Sequence, residues 1–342
     1  MPIVRTRNNV RHGWLLVLAG LLLVAFILSL VMGSVNIPLL DILKILTGGQ
    51  PARATWTTIV IDFRLPKALT ALLAGAALGV SGLQMQTLFR NPLADPFVLG
   101  VSSGASLGVA LVVLGVGTTG SLLLAGLGLT GDLGLTVAAF IGATITLFLV
   151  VSVASRVQSV MTLLILGLMF GYATSAVVTL LLYFSLTERI KAYMSWTFGS
   201  FGGVTWSQMP IFIPVILIGL VSAFLLSKPL NALLLGEGYA RSMGMNVRRG
   251  RLAIITSTAL LAGTVTAFCG PIGFLGLAVP HLCRAILGTS DHKLLIPATV
   301  MLGGTLALAA DLIAQLPGNQ IVLPLNAVTA LIGAPVVIWI IL

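Results

Sequence analysis

The chain has 342 residues, of which 58% are hydrophobic and only 8% are charged. Soluble domains carry about 25% charged residues, so this composition excludes a soluble globular protein. The formal net charge is +10. Because the Lys and Arg residues lie in short connections between apolar runs, we interpret this excess as membrane topology and not as nucleic-acid binding. Long apolar runs without a period of two are typical of membrane-spanning helices and not of a membrane β-barrel.

The apolar runs predict ten membrane-spanning helices. The first follows a basic stretch, residues 1–13, which we interpret as a cytoplasmic tail because the next apolar run is too long for a cleaved signal peptide. The predicted spans are 14–33, 65–83, 97–117, 133–155, 160–184, 210–227, 252–270, 273–288, 294–316 and 322–342. The polar connections between them include 34–64, 84–96, 185–209 and 228–251.

The distribution of Lys and Arg predicts the orientation of the chain. With the N-terminus inside, 12 of the 18 basic residues face the cytoplasm and 6 face the outside. Cytoplasmic connections carry the excess of Lys and Arg, so this orientation is favoured. An even number of spans returns the C-terminus to the cytoplasm, and residues 1–342 then form a single transmembrane domain.

A weak internal repeat points to transport. The segment ALLAG occurs at residues 71–75 and again at 259–263, in the second and seventh predicted spans. These two spans run in opposite directions across the membrane, so the copies are expected to be inverted. Inverted repeats are common in transporters, with the substrate path at the interface between the repeats.

A polar stretch interrupts the apolar runs at residues 84–96. An arginine in the middle of the bilayer costs about 2.5–3.5 kcal/mol, so the stretch is predicted to be a cytoplasmic turn. Its polar and turn-forming members are Arg90, Asn91, Pro92 and Asp95. The small residues Gly100, Gly104 and Ala105 follow it and are expected to let the next helix pack closely on a neighbour.

The longest inner connection, residues 227–251, contains a second pattern. Gly236 precedes a short predicted helix in which Glu237 lies near the start and Arg241 lies four residues later, a favourable arrangement for helix dipole and ion pair. Gly244 is expected to end this helix as a C-terminal cap. The segment is interpreted either as a docking element for a cytoplasmic partner or as an interfacial helix that contacts only lipid.

Charged residues near the predicted outer face have two interpretations. Arg64 and Lys67 lie three residues apart just before the second span, where they either contact acidic groups of a partner or anchor the helix at the interface. Asp311 lies near the end of the ninth span, where it is a candidate functional residue or a structural hydrogen-bonding group.

The sequence offers no metal site and no energy source of its own. His281, Cys283, Asp291 and His292 lack the short loop spacing that is typical of zinc ligands, and Cys269 and Cys283 are interpreted as small buried residues. There is no phosphate-binding loop and no ladder of ionisable residues within the spans. A transporter of this kind is expected to take its energy from a partner, whereas a secondary transporter, a channel or an intramembrane enzyme would carry those groups itself.

Three long segments resemble the signatures of FecCD-type permeases, the membrane subunits of importers for iron–siderophores, haem and cobalamin. They are residues 64–106, beginning RLPKALTALLAG, residues 270–297, beginning GPIGFLGLAVPH, and residues 328–342, VTALIGAPVVIWIIL. The resemblance implies an inverted-repeat type II ABC importer permease with ten helices in the bacterial inner membrane. It also implies a homodimer, two cytoplasmic ATPases that bind ATP and Mg²⁺, and an extracytoplasmic substrate-binding protein, with no cofactor or metal held by this chain and no enzymatic activity of its own.

The resemblance also implies roles for individual residues. The segment matching the family's coupling helix comprises Leu235, Gly236, Glu237, Ala240, Arg241, Met243 and Gly244, with Met243 in place of the usual leucine. Arg64 and Lys67 match two basic positions that dock the binding protein, whereas the third such position is Gln315 here. The connection that narrows the path in relatives matches residues 155–162, with Ser159, Met161 and Thr162 as the candidate gate residues. The stretch 323–327, LPLNA, departs from the family pattern.

Overall fold

The computed structural model describes residues 2–115, 132–156, 160–315 and 322–341, and within these ranges the chain contains helices and no strands. The first five α-helices are α1 (Pro2–Val31), α2 (Leu39–Leu46), α3 (Thr55–Thr58), α4 (Leu65–Phe89) and α5 (Val101–Ala110). The next five are α6 (Asp132–Arg156), α7 (Val160–Tyr183), α8 (Thr187–Thr197), α9 (Met209–Leu225) and α10 (Ser227–Leu234). The last five are α11 (Glu237–Ser242), α12 (Val247–Cys269), α13 (Leu275–Leu287), α14 (His292–Gln315) and α15 (Leu325–Ile341).

The helices confirm the predicted all-α membrane architecture. Within the described residues, six helices are long and apolar enough to cross a bilayer, and a seventh span is formed if α9 and α10, which meet at 49°, cross together. Three shorter apolar helices, Val101–Leu114, Leu275–Leu287 and Leu325–Ile338, occupy further predicted spans. Each of the ten predicted segments therefore contains a helix. Residues 2–13 continue α1, so the described part of the predicted tail is helical.

Helix α4 lies at the centre of the bundle, where it packs against α14, α12, α13 and α9. The neighbouring helices can approach α4 closely because glycines at the contacts carry no side chain. A Cβ atom at Gly75 would collide with the Gly303 carbonyl of α14, and one at Gly82 would collide with the Gly276 carbonyl of α13. Small residues at helix contacts let backbones approach closely in membranes, where van der Waals packing drives association. The two ALLAG segments lie in α4 and in α12, which contact one another.

Two predicted boundaries were wrong, for related reasons. Helix α4 continues to Phe89, whereas the sequence predicted a turn from residue 84. The polar side chains after residue 83 are buried and satisfied inside the bundle: Gln84 accepts a hydrogen bond of 2.9 Å from Thr258 and donates one of 3.1 Å to Ser257. At the other boundary α12 begins at Val247, five residues before the predicted start at 252, because Asn246 caps it by accepting a hydrogen bond from the Arg249 amide at 3.0 Å.

The contacts define two ends of the bundle. At one end, which we call the basic end, the Arg11 guanidinium reaches the Gly288 carbonyl, and α10 of the 227–251 connection packs against α4 and α14. At the other end, which we call the opposite end, the connections contain the short helices α2 and α8. The predicted close packing after the 84–96 turn is confirmed, because a Cβ atom at Gly104 in α5 would collide with Thr146 and Gly142 in α6.

Candidate functional site: the coupling segment and the ion pairs at the two ends

The coupling segment, residues 227–251, contains the short helix that the sequence predicts. Helix α11 begins after Gly236, whose φ of +103° is a conformation that favours glycine. It ends before Gly244, at φ +82°, where the Met245 amide donates to the Ala240 carbonyl at 3.0 Å. This is the hydrogen-bond pattern of a helix C-terminal cap. The two glycines therefore fix where α11 starts and where it stops.

Glu237 forms two ion pairs, one within α11 and one that joins α11 to α12. Glu237 lies 2.5 Å from Arg251 on α12 and 3.7 Å from Arg241, one turn further along α11. The Arg251 side chain is 7% exposed, whereas that of Arg241 is 68% exposed. A mostly buried charge pair is costly to break, while an exposed pair contributes little. The Glu237–Arg251 pair is therefore the contact that orients α11 against α12.

The outer face of the coupling segment is apolar. Leu235 is 64% exposed, Tyr239 48% and Met243 65%, whereas Ala240 is fully buried. Tyr239 and Met243 lie four residues apart and so share a face of α11, whereas Leu235 lies at the end of α10, just before Gly236. We call Leu235, Tyr239 and Met243 the coupling stripe. An exposed apolar patch on a rigid element, rimmed by arginines, is typical of a surface that binds another protein or a membrane.

The turn at residues 90–95 is held by its own side chains. Arg90 ends α4 in the left-handed region at φ +50°, Asn91 Oδ1 accepts from the Leu93 amide at 2.9 Å, and Asp95 Oδ1 accepts from the Phe97 amide at 2.9 Å. Burial of the Asp95 carboxyl raises its pKa to about 6, although the hydrogen bond from Phe97 lowers it. The turn is therefore a defined structure with a carboxyl group that binds a proton readily.

This turn also contacts two other elements of the basic end. The His281 side chain of α13 forms a hydrogen bond of 2.7 Å with the Pro92 carbonyl. The Arg90 guanidinium lies against Gly236, where its Nη1 atom is 3.5 Å from the position that a Cβ atom would take. The structure therefore brings the predicted signature turn and the predicted coupling segment together.

At the opposite end, Arg64 binds inside the chain. Its guanidinium donates to the carbonyls of Leu30 at 2.6 Å and Val31 at 2.9 Å, and it also contacts the Val35 carbonyl. The Leu30 and Val31 carbonyls lie at the C-terminal end of α1, where a positive charge is favourable, and Val35 lies in the connection that follows. Arg64 thus ties α1 to the start of α4, and its docking role stays a prediction.

Lys67 also has a partner inside the chain. Its amine lies 3.0 Å from Asp311 Oδ1 on α14, and Gln315 donates to Asp311 Oδ2 at 2.6 Å. The side chains of Lys67 and Asp311 are 24% and 5% exposed. The structural interpretation of Asp311 is confirmed, and Gln315, which stands at the family's third basic position, serves the same carboxylate. The docking role of Lys67 stays a prediction.

The candidate gate residues are placed only in part. Ser159 lies outside the described residues, whereas Met161 and Thr162 lie in the first turn of α7 and are exposed. Further along α7, Tyr172, Ser175 and Thr179 are exposed at helical spacing. These polar side chains distinguish this face of α7 from a purely lipid-facing surface.

The four residues weighed as a metal site have separate surroundings. Cys283 is buried, His281 binds the Pro92 carbonyl, and His292 binds Thr87 and Asn231. Asp291 accepts hydrogen bonds from Asn231 and from the Lys293 amide. Among the described residues, no group of three or more His, Cys, Asp and Glu side chains is arranged to hold a metal ion.

Several structurally important residues were missed by the sequence interpretation. Arg251 was counted only as a topological charge, and Asn231 was not singled out. Asn326, in the divergent LPLNA stretch, accepts from the Gly273 amide at 2.9 Å and donates to the Thr197 carbonyl at 3.4 Å. The available signal was weak: a lone polar residue in an apolar stretch indicates a hydrogen bond, but it does not indicate the partner.

The structure is that of a polytopic helical membrane protein with an exposed apolar surface, the coupling stripe, at its basic end. The sequence matches the FecCD transport family over residues 21–342. The chain belongs to this family, and it is a multi-pass membrane transport permease.

Similar proteins extend over the full chain. It is 39% identical over 342 residues to the vitamin B12 import system permease protein BtuC of Klebsiella pneumoniae, covering 100% of this chain and 97% of that protein. It is 40% identical over 337 residues to the protein of the same name from Salmonella paratyphi A, covering 98% and 96%. A solved inward-facing structure assigned to the metal-chelate type of ABC transporter has a TM-score of 0.82 at 30% identity, covering 96% of this chain and 98% of that one.

A more distant structure shares the fold alone. PsaBC from Streptococcus pneumoniae, solved in complex with a Fab, has a TM-score of 0.54 at 16% identity and covers 88% of this chain and 95% of that one. The solved ABC transporter structure with a TM-score of 0.82 is the one that shows the helix arrangement to be that of an ABC importer permease.

Proposed function

We propose that this chain is the membrane-spanning subunit of an ATP-driven importer. The observation that carries the proposal is its 39–40% identity, over nearly the full length of both proteins, to permeases named for vitamin B12 import. In this proposal ATP and Mg²⁺ bind to two cytoplasmic ATPase partners and not to this chain, and a binding protein outside the membrane delivers the substrate. The basic end then faces the cytoplasm of a bacterium, with both termini on that side.

Within the coupling segment, residues 235–244, which comprise α11 and its flanking residues, are the proposed contact with the ATPase. The coupling stripe of Leu235, Tyr239 and Met243 supplies exposed apolar area, and burial of such area drives protein association. Glu237, Ala240 and the two bounding glycines keep the stripe rigid, while Arg241 lies exposed at its edge. A rigid surface loses little conformational entropy on binding and can transmit a push. These features favour a protein partner over contact with lipid alone.

Two copies of the chain are proposed to form the path. The exposed polar face of α7, with Tyr172, Ser175 and Thr179, suits a water-filled passage between two chains better than a lipid contact. Ser159, Met161 and Thr162, at the start of the same helix or just before it, are the proposed gate of that passage. The binding protein is proposed to dock near Arg64 and Lys67, in competition with their internal partners.

The proposed substrate is vitamin B12, with iron–siderophores and haem as the competing candidates. Uptake can be measured in proteoliposomes that contain this permease with a candidate ATPase and binding protein from the same organism. We expect labelled cyanocobalamin to accumulate only when ATP is inside the compartment that the ATPase faces. Ferric siderophore and haemin, tested in parallel, decide between the three chelates.

A secondary transporter is the alternative class. It requires no ATPase, so uptake by the permease alone, driven by an ion gradient, would contradict the proposal. A matched control is the same complex with the phosphate-loop lysine of the ATPase replaced, which should assemble and bind substrate but not accumulate it.

A further inference from the structure

Four side chains form a continuous hydrogen-bonded row at the basic end. Thr87 on α4 lies 2.8 Å from His292 Nε2, His292 Nδ1 lies 2.7 Å from Asn231 Oδ1, and Asn231 Nδ2 donates to Asp291 Oδ1 at 2.7 Å. Asn231 Oδ1 also accepts from the His292 amide at 2.9 Å. The row therefore connects α10, α14 and α4 through one asparagine and one histidine.

The hydrogen-bonding capacities of these groups fit one another. Because the Asn231 amide nitrogen faces the Asp291 carboxylate, its oxygen is the acceptor and His292 Nδ1 is the donor. The Nε2 atom of neutral His292 then faces the Thr87 hydroxyl as an acceptor, and the Leu83 carbonyl, at 2.9 Å, is a second acceptor for the same hydroxyl proton. The His292 side chain is fully buried, and a buried polar group without a partner costs about 1–3 kcal/mol. Removing one member of the row therefore weakens the whole junction.

Asn231 lies in α10, the helix of the coupling segment that immediately precedes α11. Only Leu235 and Gly236 separate α10 from α11, and their amides bond back to the carbonyls of Ala232 and Leu233 at 3.3 and 3.0 Å. Because this connection is short and hydrogen-bonded, we expect α10 to move together with α11.

The other side of the junction is a rigid pair of helices. Helices α4 and α14 run antiparallel and are joined at both ends, by Thr87 with His292 and by Lys67 with Asp311. The two joints are separated by 20 residues along α4 and 19 along α14, which is about 30 Å of helix. Between them, the backbones touch at Gly75 and Gly303. Such a pair resists sliding, because each contact fixes the same register.

We propose that the Asn231–His292 junction transfers movement of the coupling segment to the α4–α14 pair, which carries it as one rigid rod to the opposite end. This inference rests on the proposed function, because it assumes that an ATPase pushes on α11. Asn231, His292 and Thr87 are positioning residues, because their side chains bond to one another inside the chain.

The test is the ratio of substrate imported to ATP hydrolysed in the reconstituted complex. Asn231→Ala removes three hydrogen bonds of the junction and leaves the coupling stripe unchanged, so we expect normal assembly and ATP hydrolysis. Uptake per ATP should fall about three- to tenfold. Asn326→Ala is the matched control, since the side chain of that asparagine also bonds to other elements, through two backbone groups, but lies at the opposite end. It should keep the wild-type ratio.

A second pair of variants guards against misfolding of Asn231→Ala. Thr87→Val removes the hydroxyl that meets His292, whereas Thr87→Ser keeps it, so only the valine variant should lower the ratio. If the junction has a purely structural role, the variants should lose thermal stability, and uptake and ATP hydrolysis should fall in proportion. That result would overturn the inference. A wild-type ratio of uptake to ATP hydrolysis in both Asn231→Ala and Thr87→Val would overturn it as well. The wild-type complex separately decides the proposed function: if it imports nothing with ATP, the function fails irrespective of the variants.

Discussion

The amine of Lys67 and the carboxylate of Asp311 lie 3.0 Å apart and join the start of α4 to the end of α14. Breaking a largely buried ion pair leaves an uncompensated charge, which costs about 3–5 kcal/mol. We therefore expect Asp311→Asn and Lys67→Met each to lower the thermal midpoint of the purified permease. The double variant Lys67→Met with Asp311→Leu should recover part of the loss. Midpoints that fall additively would show that the two residues do not interact.

Arg251 should control partner binding through Glu237. Replacing Arg251 by Met leaves the Glu237 carboxylate without its closest cation, so α11 loses its fixed orientation against α12. We expect the amount of ATPase that copurifies with the permease to drop about tenfold, since breaking a buried pair of this kind is strongly destabilising. Arg249→Met is the matched control, because Arg249 lies on the exposed side of α12. Equal recovery of the ATPase by both variants would contradict the role given to the ion pair.

Asp95 should make stability depend on pH. Burial raises the pKa of its carboxyl to about 6, so at pH values between its ordinary pKa and about 6 the folded chain holds a proton that the unfolded chain releases. The free energy of unfolding then falls as pH rises through that window, because the folded state binds more protons. Asp95→Asn keeps an acceptor for the Phe97 amide without the charge.

Thermal midpoints across this window test the assignment. Asp95→Asn should lose the pH-dependent decline and equal or exceed the wild-type midpoint at neutral pH. Asp95→Ala, which lacks the acceptor, should be less stable by about 1 kcal/mol. An unchanged pH profile in Asp95→Asn would assign the titration to another group.

Gly75 should not tolerate even one added methyl group. A Cβ atom there would meet the Gly303 carbonyl and the Ala307 side chain, and backbone atoms cannot move aside as a flexible side chain can. Overpacking of this kind costs about 1–3 kcal/mol. Gly20→Ala in α1 is the matched control, since nothing lies within 4 Å of the added atom. A thermal midpoint for Gly75→Ala as high as that of Gly20→Ala would show that α4 and α14 are not in backbone contact.

The sequence predicted the helices far better than their polar contacts. Apolar runs mark membrane spans because lipid leaves the backbone no other way to satisfy its hydrogen bonds, and Gly236 and Gly244 mark α11 because its ends need positive φ. The start of α12 was missed although Asn246 is a typical cap. The extension of α4 was missed because Gln84 looks like a loop residue until its partners on α12 are known.

Pairings between distant residues could not be derived in the same way. Nothing near Lys67 in the chain indicates Asp311, and nothing near Glu237 singles out Arg251 from the neighbouring arginines. Such pairs depend on how whole helices dock, which local periodicity does not encode. The resemblance to a family supplied roles for Arg64 and Lys67 but not their internal partners.

The backbone contact between α4 and α14 at Gly75 and Gly303 has a consequence for the shape of the cargo route. Helices that touch without intervening side chains leave no gap through which a molecule as wide as a metal chelate could travel. The α4–α14 contact is therefore a wall and not a tunnel. The proposed passage between two copies of the chain would therefore run along the outside of this wall and not between α4 and α14.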